Sequence, residues 1–407
     1  MSAPAERLPS PPRGFVFAAL LGILSAFGAI SIDMYLPALP GMQRELATDA
    51  AAIQWTLNGF FLGFGLSQLV YGPLADRFGR KAPLFVGCLL YIAGSIGCAL
   101  ATDVFWLAIF RLLQGIGGAA GSVISRAIVR DVYDRDHAAK MFSMLMLLMG
   151  AAPMFAPSVG GLLLEVAGWR AIFWTLAGFG VIALLLSTFL LRETLPTERR
   201  DRRPPGQLAR AYASLLTDSR FIGYAGTGAM IFGGLFVYIS GTPAVFIDHF
   251  GLSPRAFAVL FGCNVVGMMI MSTINSRFVT RFGVDRMLST GLWICICAAA
   301  ALVLFAGTGT GGIYGVVIPL FLLLASFGLI GGNTGAGALQ HFPHMAGAAS
   351  ALAGVMPFIL GSIAGTVLGL LSDGTPRPMA LLMSAMVTGG FLVHRLVVVR
   401  RLKAEKR

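Results

Sequence analysis

The chain has 407 residues, of which 57% are hydrophobic and only 12% are charged, and its mean hydropathy is +0.81. Soluble domains carry about 25% charged residues, and a membrane-spanning helix needs about 20 apolar residues. The composition therefore excludes an ordinary soluble protein and predicts about twelve spans. The net charge of +12 lies mainly in alternate short loops and in the tails. Such a distribution is typical of charges that set membrane topology rather than of a nucleic-acid-binding face.

The apolar segments form two groups of six, separated by a polar linker. The first group lies within residues 1–191, the linker covers 192–220, and the second group lies within 221–407. We predict an all-α membrane protein with two parallel six-helix repeats. The first apolar run is too long for a signal-peptide core and is interpreted as an uncleaved helix. The predicted helices are 15–39, 52–74, 82–101, 104–127, 140–164, 169–191, 221–246, 255–278, 286–307, 312–336, 344–371 and 377–399.

The distribution of lysine and arginine predicts the orientation of the chain. If the N terminus is cytoplasmic, nearly all of the 30 lysines and arginines fall on the cytoplasmic side. The exceptions are Arg44, Arg170, Arg255 and Arg377 in outer loops, and Arg111 inside a helix. By the positive-inside rule, both termini are expected to be cytoplasmic.

The two halves also share sequence. Residues 77–79 and 281–283 are both Arg-Phe-Gly, and Pro153 and Pro357 match at the same offset. Because six helices separate the copies, both halves have the same orientation. Parallel repeats of this kind hold the substrate site between the halves.

Two opposite charges lie inside predicted helices of the first half. Asp33 in helix one and Arg111 in helix four are each seven residues from the outer end of their helix, so they have a similar depth. Intramembrane charges are costly and usually functional. We predict that Asp33 is the proton-coupling carboxylate and that Arg111 favours its ionised form. A structural ion pair, or an Asp33 wetted at the membrane boundary, is the alternative.

The loop GPLADRFGRK joins helices two and three. Its two glycines permit tight turns, and its basic residues can pair with acidic groups elsewhere. This charge cluster is predicted to hold the two halves together on the cytoplasmic side and to release as they move; a basic loop that only sets topology is the alternative. The candidate gating residues are Gly72, Asp76, Arg77, Gly79, Arg80, Lys81 and Asp131.

Helix five contains APMFAPSVGG. Pro153 and Pro157 interrupt backbone hydrogen bonds and bend a helix, while Gly160 and Gly161 allow close helix packing. Prolines and glycines are also ordinary in membrane helices. Polar residues that could face a central cavity, or simply hydrogen-bond neighbouring helices, are Tyr35, Asn58, Gln68, Gln114, Tyr238 and Asn264.

These segments resemble transporter motifs. GPLADRFGRK resembles the signature loop of the major facilitator superfamily, FRLLQGIGGA its helix-four motif and APMFAPSVGG its helix-five antiporter motif. SIDMYLPALP resembles the helix-one motif of the drug:proton antiporters. With RDVYDRDHA at 130–138 and GAASALAG at 347–354, the whole chain is similar to the bicyclomycin/chloramphenicol-resistance (Bcr/CflA) branch.

The resemblance implies the major facilitator fold, alternating access, and export coupled to proton entry across the cell inner membrane by a monomer. It also implies that Asp76, Arg77 and Arg80 belong to a gating network, that Arg111 is linked to proton coupling, and that Asp33 is the matching helix-one acid.

Two positions depart from the motifs. Ala156 precedes Pro157 where many antiporters have glycine, and Ser25 stands where some multidrug relatives have a second acid. Fewer acids imply fewer charges handled per cycle, so strong export of dications is not expected.

We therefore predict proton-coupled antiport of small drug-like molecules, with the substrate, protons and the bilayer as the only partners. The alternatives are an exporter of a metabolite such as an amino acid or sugar derivative, a membrane enzyme, and a sensor. No nucleophile motif or cofactor loop supports an enzyme, and no cofactor is expected. His341 and His344 are three residues apart, but no carboxylate or cysteine accompanies them, so no metal site is expected.

Overall fold

The computed structural model describes residues 15–200 and 205–400. Both tails, and residues 201–204 of the predicted linker, lie outside the described residues. The first half consists of α1 (Phe15–Asp33), a 3-10 turn (Leu36–Ala38), α2 (Leu39–Glu45), α3 (Ala50–Phe78), α4 (Lys81–Leu100), α5 (Val104–Val132), α6 (Arg135–Ala167) and α7 (Trp169–Leu190).

The rest of the described chain is also helical. A 3-10 turn (Thr197–Arg199) and α8 (Pro205–Thr217) follow α7. The second half consists of α9 (Ser219–Pro243), a π-helix (Ala244–His249), α10 (Pro254–Phe282), α11 (Val284–Thr308), α12 (Gly312–Gln340), a 3-10 turn (Pro343–Met345), α13 (Ala346–Leu371), α14 (Arg377–Val393) and a second π-helix (His394–Val399).

Eleven segments of the described chain are long and apolar enough to cross a membrane. The twelfth long helix, α3, has 29 residues but carries Gln54, Asn58 and Gln68, which lower its hydropathy. It packs between α5 and α13. All twelve predicted helices are therefore present, and the all-α membrane architecture is confirmed.

The first helix is shorter than predicted. It ends at Asp33 rather than at residue 39, and a 3-10 turn and the short α2 follow it. Pro37 and Pro40 each lack a backbone N–H and stand at the first positions of the new elements, where that loss is tolerated. Asp33 thus lies at a helix end rather than well inside a helix.

The predicted linker contains a helix that the sequence did not indicate. Helix α8 is amphipathic, and its Leu215 is fully buried. The Tyr212 hydroxyl donates a hydrogen bond of 3.4 Å to the carbonyl oxygen of Leu69 on α3. Helix α8 also touches α13 and α9, so it lies across the end of the bundle at which α1 begins and the second π-helix ends. We call this the termini end, and the opposite end the far end.

Glycines bring the helices of the first half into backbone contact. A Cβ atom at Gly63 or at Gly115 would overlap a carbonyl oxygen on the facing helix, which joins α3 to α5. A Cβ at Gly117 would overlap the backbone nitrogen of Tyr91 on α4. Such close approach leaves no space for water around α5, and this is what buries the polar side chains on it.

The two halves meet where α3 packs against α13, and where α6 packs against α10. Gln54 donates from Nε2 to the carbonyl oxygen of Ser240 at 2.7 Å. Asn58 donates from Nδ2 to Oγ1 of Thr366 at 3.1 Å. These residues stand in the first turns of α3, so the contacts close the far end of the bundle.

A second set of contacts closes the same end on the other side of the bundle. Arg255, at the start of α10, pairs with Glu165 near the end of α6. The interface between the halves then continues toward the middle of the bundle as a cluster of aromatic rings. We call it the central aromatic cluster; its members are Phe61, Phe64, Phe236 and Phe358, and its ring centroids lie 4.5–6.3 Å apart.

Candidate functional site

Arg111 is completely buried in the first half of the bundle. Its Nη1 donates to Oε1 of Gln114 at 2.6 Å and to the carbonyl oxygen of Ser31 at 3.1 Å. Its Nε donates to the carbonyl oxygen of Thr56 at 3.4 Å. The guanidinium thus joins α5 to the end of α1 and to α3.

Three aromatic rings surround this guanidinium. Its carbon lies 4.4 Å from the ring centroid of Phe60, 4.6 Å from that of Tyr35 and 5.9 Å from that of Phe173. An aromatic face attracts a cation through the ring quadrupole, and the attraction is stronger when the cation is desolvated. Among the described residues, no carboxylate pairs with Arg111. Rings, carbonyl oxygens and one amide stabilise its charge instead.

Asp33 is buried at the C-terminal end of α1, with 3% of its surface exposed. Within the described part of the chain it has no ion pair and no hydrogen bond to its carboxyl oxygens. The structural ion pair with Arg111 is therefore absent in this conformation. The two residues do lie at a similar depth, as predicted. The guanidinium of Arg111, however, bonds the carbonyl oxygen of Ser31, two residues before Asp33, and not the Asp33 carboxyl.

The 3-10 turn that follows Asp33 contacts α9 and α10 of the other half of the bundle, and α9 carries Tyr238. Tyr238 is itself buried, and its hydroxyl oxygen accepts a hydrogen bond of 3.0 Å from Nδ2 of Asn264 on α10. The carboxyl predicted to carry the proton therefore lies next to a turn where the halves meet, and the two helices of the second half that contact this turn carry two predicted cavity residues.

The helix-five motif packs against the same place. Pro153 and Pro157 lie inside α6. A Cβ atom at Gly160 would overlap the carbonyl oxygen of Met34, the residue after Asp33. A Cβ at the neighbouring Gly161 would make only ordinary contact with Pro254 of the second half, at 3.7 Å. The two glycines thus face opposite halves of the molecule.

The other predicted cavity residues fall into two groups by their location. Tyr35 and Gln114 belong to the buried surroundings of Arg111: the Tyr35 hydroxyl contacts Thr56, and Gln114 donates from Nε2 to Oγ of Ser95 at 2.8 Å. The predicted cavity role does not suit these two positions, because neither faces the second half.

Asn58 and Gln68 do lie at the interface between the halves. Asn58 bonds Thr366, and Oε1 of Gln68 lies 3.1 Å from where a Cβ at Gly354 would stand. These two amides fill the gaps left by glycines on α13. Both side chains therefore depend on the close approach of α3 and α13.

The loop between α3 and α4 forms a network centred on Arg80, which is 5% exposed. Its Nε and Nη2 atoms donate to the two carboxylate oxygens of Asp131 at 2.7 and 3.2 Å, and its Nη1 donates to Oδ1 of Asp76 at 2.5 Å. Partial desolvation lowers the pKa of Arg80, but the hydrogen bonds to Asp131 and Asp76 outweigh it and raise that pKa above its ordinary value.

Glu193, which the sequence analysis did not single out, completes this network. Its carboxylate accepts hydrogen bonds from the backbone nitrogens of Arg80 and Lys81, at 2.8 and 3.2 Å. Lys81 Nζ donates to the carbonyl oxygen of Thr188 at 2.9 Å. Gly79, with a φ of 91°, makes the turn that exposes these nitrogens. Gly72 lies inside α3 rather than in a turn, so its predicted turn role is wrong.

This network does not join the two halves. Asp76, Arg80 and Asp131 all belong to the first half, and Glu193 directly follows α7. Arg77 stacks over Phe78, with its guanidinium carbon 5.9 Å from the ring centroid. The predicted latch between the halves is therefore absent in this conformation; the network instead fixes α3, α4, α5 and the end of α7 to one another.

Substitutions in this network are expected to have unequal effects. Asp131→Asn leaves the buried Arg80 without its bidentate partner and should lower the free energy of unfolding by about 3 kcal/mol, as for other broken buried pairs. Asp76→Asn removes a carboxylate with half of its side chain exposed and should cost less than about 1 kcal/mol. Thermal unfolding in detergent measures both, and equal losses would contradict this assignment.

Sequence comparisons agree with these motifs. A family model described as Major Facilitator Superfamily matches residues 21–366. An uncharacterized MFS-type transporter, YdgK, of Bacillus subtilis is 37% identical over 94% of this chain and 96% of its own length. The bicyclomycin resistance protein homolog of Haemophilus influenzae is 32% identical over 96% and 98%, and the chloramphenicol resistance protein of Pseudomonas aeruginosa is 30% identical over 96% and 93%.

Solved structures share the fold. A bacterial homolog of the human lysosomal transporter Spinster, in an inward-facing and occupied conformation, aligns with a TM-score of 0.75 and 17% identity, covering 97% of this chain and 99% of its own. The D-xylose-proton symporter aligns with a TM-score of 0.73 and 15% identity, covering 93% and 97%. At these identities the likeness concerns the architecture alone.

Proposed function

Because the chain belongs to the Major Facilitator Superfamily and is a membrane transporter rather than an enzyme, we propose that it exports small drug-like molecules in exchange for protons. The similar proteins named for bicyclomycin, chloramphenicol and multidrug resistance support drug export over export of a metabolite. The observation that carries the proposal is the buried Asp33, directly before the turn that contacts α9 and α10 of the second half.

The proton step follows from the surroundings of Asp33. An ionised carboxylate without a partner is costly to bury, whereas a neutral carboxyl is not. The conformation closed at the far end therefore suits a protonated Asp33. Loss of the proton creates a charge that is better solvated when the halves separate, so ionisation favours opening and protonation favours closure at the far end. A ligand shifts such an equilibrium only by its different affinity for the two states, and here the proton is that ligand.

We place the termini end in the cytoplasm of a bacterial cell, with the chain spanning the inner membrane. The excess of lysine and arginine at this end supports that orientation. The Arg80 network and helix α8 then lie at the cytoplasmic surface, and Gln54, Asn58 and the Glu165–Arg255 pair close the outer surface. We infer that one chain is the functional unit, since both halves of the site come from it.

The interface between the halves suits aromatic and apolar compounds. The central aromatic cluster offers ring faces and edges, which stack with planar ligands, and Met154 and Met269 lie where α6 approaches α10. Methionine adapts to ligands of different shape. Wide but loose selectivity among uncharged or singly charged aromatic drugs is expected.

A two-part experiment tests the proposal. An efflux-deficient bacterium expressing the chain should tolerate at least about fourfold more chloramphenicol-type, bicyclomycin, fluoroquinolone or lipophilic-cation compound than the same strain with an empty vector. Proteoliposomes holding the purified chain and an internal pH dye should release protons when the same compound is added. If membrane expression is good and no compound gives resistance or proton release, the drug-export proposal is wrong and an endogenous metabolite becomes the substrate.

A further inference from the structure

We propose that the second half of the transporter holds an anionic phospholipid in a groove on its membrane-facing surface. The groove lies at the termini end, between the last turns of α10 and the first turns of α11, and has a volume of about 670 Å³. Its walls include Phe278 and Phe282 of α10 and Trp293 of α11. With the orientation proposed above, the bound lipid belongs to the cytoplasmic leaflet.

The apolar wall of the groove lies on the outside of the bundle. The main neighbours of α11 are α12 and α14, which both belong to the second half. Phe278, Phe282 and Trp293 are 43%, 44% and 48% exposed. Aromatic side chains are favoured at the level where acyl chains meet headgroups. These three rings therefore offer a surface for the part of an acyl chain nearest to its headgroup.

Three arginines surround the mouth of this groove. Arg286 is exposed and lines it. The guanidinium carbon of Arg281 lies 5.6 Å from the ring centroid of Phe282. That of Arg395, in the second π-helix, lies 5.2 Å from the ring centroid of Trp293. Stacking on a ring holds the face of a guanidinium group, and the N–H groups at its edge remain free to bind a phosphate.

The charges of these arginines are not neutralised by the protein. Within the part of the chain that the structure describes, no carboxylate pairs with Arg281, Arg286 or Arg395, and their side chains donate no hydrogen bond. A guanidinium group binds phosphate strongly, through two parallel N–H···O bonds. A phosphate at the mouth of the groove would therefore supply the acceptors that these three groups lack.

The one acid that lines the groove is already engaged. Oδ1 of Asp285 accepts a hydrogen bond of 2.6 Å from the Tyr224 hydroxyl of α9. Between residues 254 and 400 the sequence has one further acid, Asp373, which follows α13 at the far end. Three guanidinium groups and one carboxylate leave the mouth with a net positive charge. A lipid of net negative charge is therefore favoured over a zwitterionic lipid.

The groove is formed by the second half alone. Helices α10 and α11 are consecutive, and the second π-helix ends the same half. Since the halves move against each other in alternating access, a site built across both would be disrupted in each cycle. A site within one half keeps its walls, so the lipid can stay bound while the transporter changes conformation.

Native mass spectrometry of the purified chain measures the lipid preference without any drug. Phosphatidylglycerol and phosphatidylethanolamine with the same acyl chains are added in equal amounts. The first lipid retained should be phosphatidylglycerol, with a preference of at least about fivefold, the ratio expected for one effective basic residue. Arg286→Gln combined with Arg395→Gln should remove most of this preference. Arg192→Gln removes an exposed arginine at the same end of the first half and should leave it unchanged.

Fluorescence quenching locates the lipid and keeps every arginine, so it also serves if the double variant folds poorly. The difference between the wild-type and Trp293→Phe spectra gives the emission of Trp293. In phosphatidylcholine nanodiscs, phosphatidylglycerol with brominated acyl chains should quench this emission more than brominated phosphatidylethanolamine at the same fraction.

Three results would overturn the lipid site: equal or greater retention of phosphatidylethanolamine, an unchanged preference in the double variant, or equal quenching of Trp293 by the two brominated lipids. Neither measurement requires transport. If no drug is exported but both measurements give the expected result, the drug-export proposal fails and the lipid site stands.

Discussion

Replacing Asp33 with asparagine is expected to abolish proton-coupled export while the protein still folds. The amide has the shape of the neutral carboxyl, which the buried site accommodates without an ion pair, but it can neither bind nor release a proton. Drug-induced proton release from proteoliposomes should fall by at least about 100-fold, since a residue essential to coupling cannot be bypassed, and drug tolerance should return to the empty-vector value at equal membrane expression.

The same variant should also shift the conformational equilibrium. A permanently uncharged side chain removes the electrostatic drive for the halves to separate. Spin labels at Thr102 and Thr310, which stand at the far end of the first and second half, should therefore remain at their short distance at all pH values, whereas in the wild-type chain the distance should lengthen as the pH rises. The labels require replacement of the exposed Cys263 and Cys297.

Two outcomes would contradict the role of Asp33. If Asp33→Asn still acidifies the medium on drug addition, another group carries the proton. If Asp33→Asn loses transport but also unfolds at a much lower temperature, the loss reflects folding. Asp248→Asn is the matched control, because that carboxylate is exposed at the far end of the same interface, and it should retain coupled transport.

Much of the architecture was predictable because the bilayer imposes a simple rule. A span must satisfy its backbone internally and expose apolar side chains, so length and hydropathy locate helices well. Helix α1 was predicted too long because its apolar run continues through Pro37, and hydropathy does not detect a turn. Helix α8 was missed because its 13 residues are too short to span a membrane and follow a strongly charged run.

The sequence predicted which residues belong to the candidate site better than it predicted the contacts between them. Asp33 and Arg111 stand out in sequence because each is a charge within an apolar segment. Their depth follows from the helical rise, but the direction in which a side chain points depends on helix rotation, which the glycines of α5 and the break after Asp33 determine. The sequence could therefore place both charges in one layer without showing that Arg111 is surrounded by aromatic rings and forms no ion pair with Asp33.

The partners from distant segments were the least predictable. Glu193 contacts Arg80 across 113 positions of the chain, and as one acid in a polar linker it carries no local signal. The central aromatic cluster draws Phe61 and Phe64 from one half and Phe236 and Phe358 from the other, among 30 phenylalanines. Only the packing of α13 against both α3 and α9 selects these four.

The second large effect is expected at Gly160. A methyl group there would overlap the carbonyl oxygen of Met34, which is backbone and cannot rotate away. Gly160→Ala must therefore push α6 from the end of α1 and displace Asp33. Overpacking of this kind costs about 1–3 kcal/mol; export should fall by at least about tenfold, because Asp33 loses its position at the interface between the halves.

The adjacent glycine provides the matched control. At Gly161 a Cβ atom would lie 3.7 Å from Pro254, an ordinary contact distance, so Gly161→Ala should keep nearly wild-type stability and export. Helix propensity cannot explain a difference between the two variants, since both replace glycine by alanine within α6. Equal effects of the two substitutions would show that the helix-five motif acts through flexibility of α6 rather than through its contact with α1, whereas a loss confined to Gly160→Ala would place the motif in the positioning of Asp33.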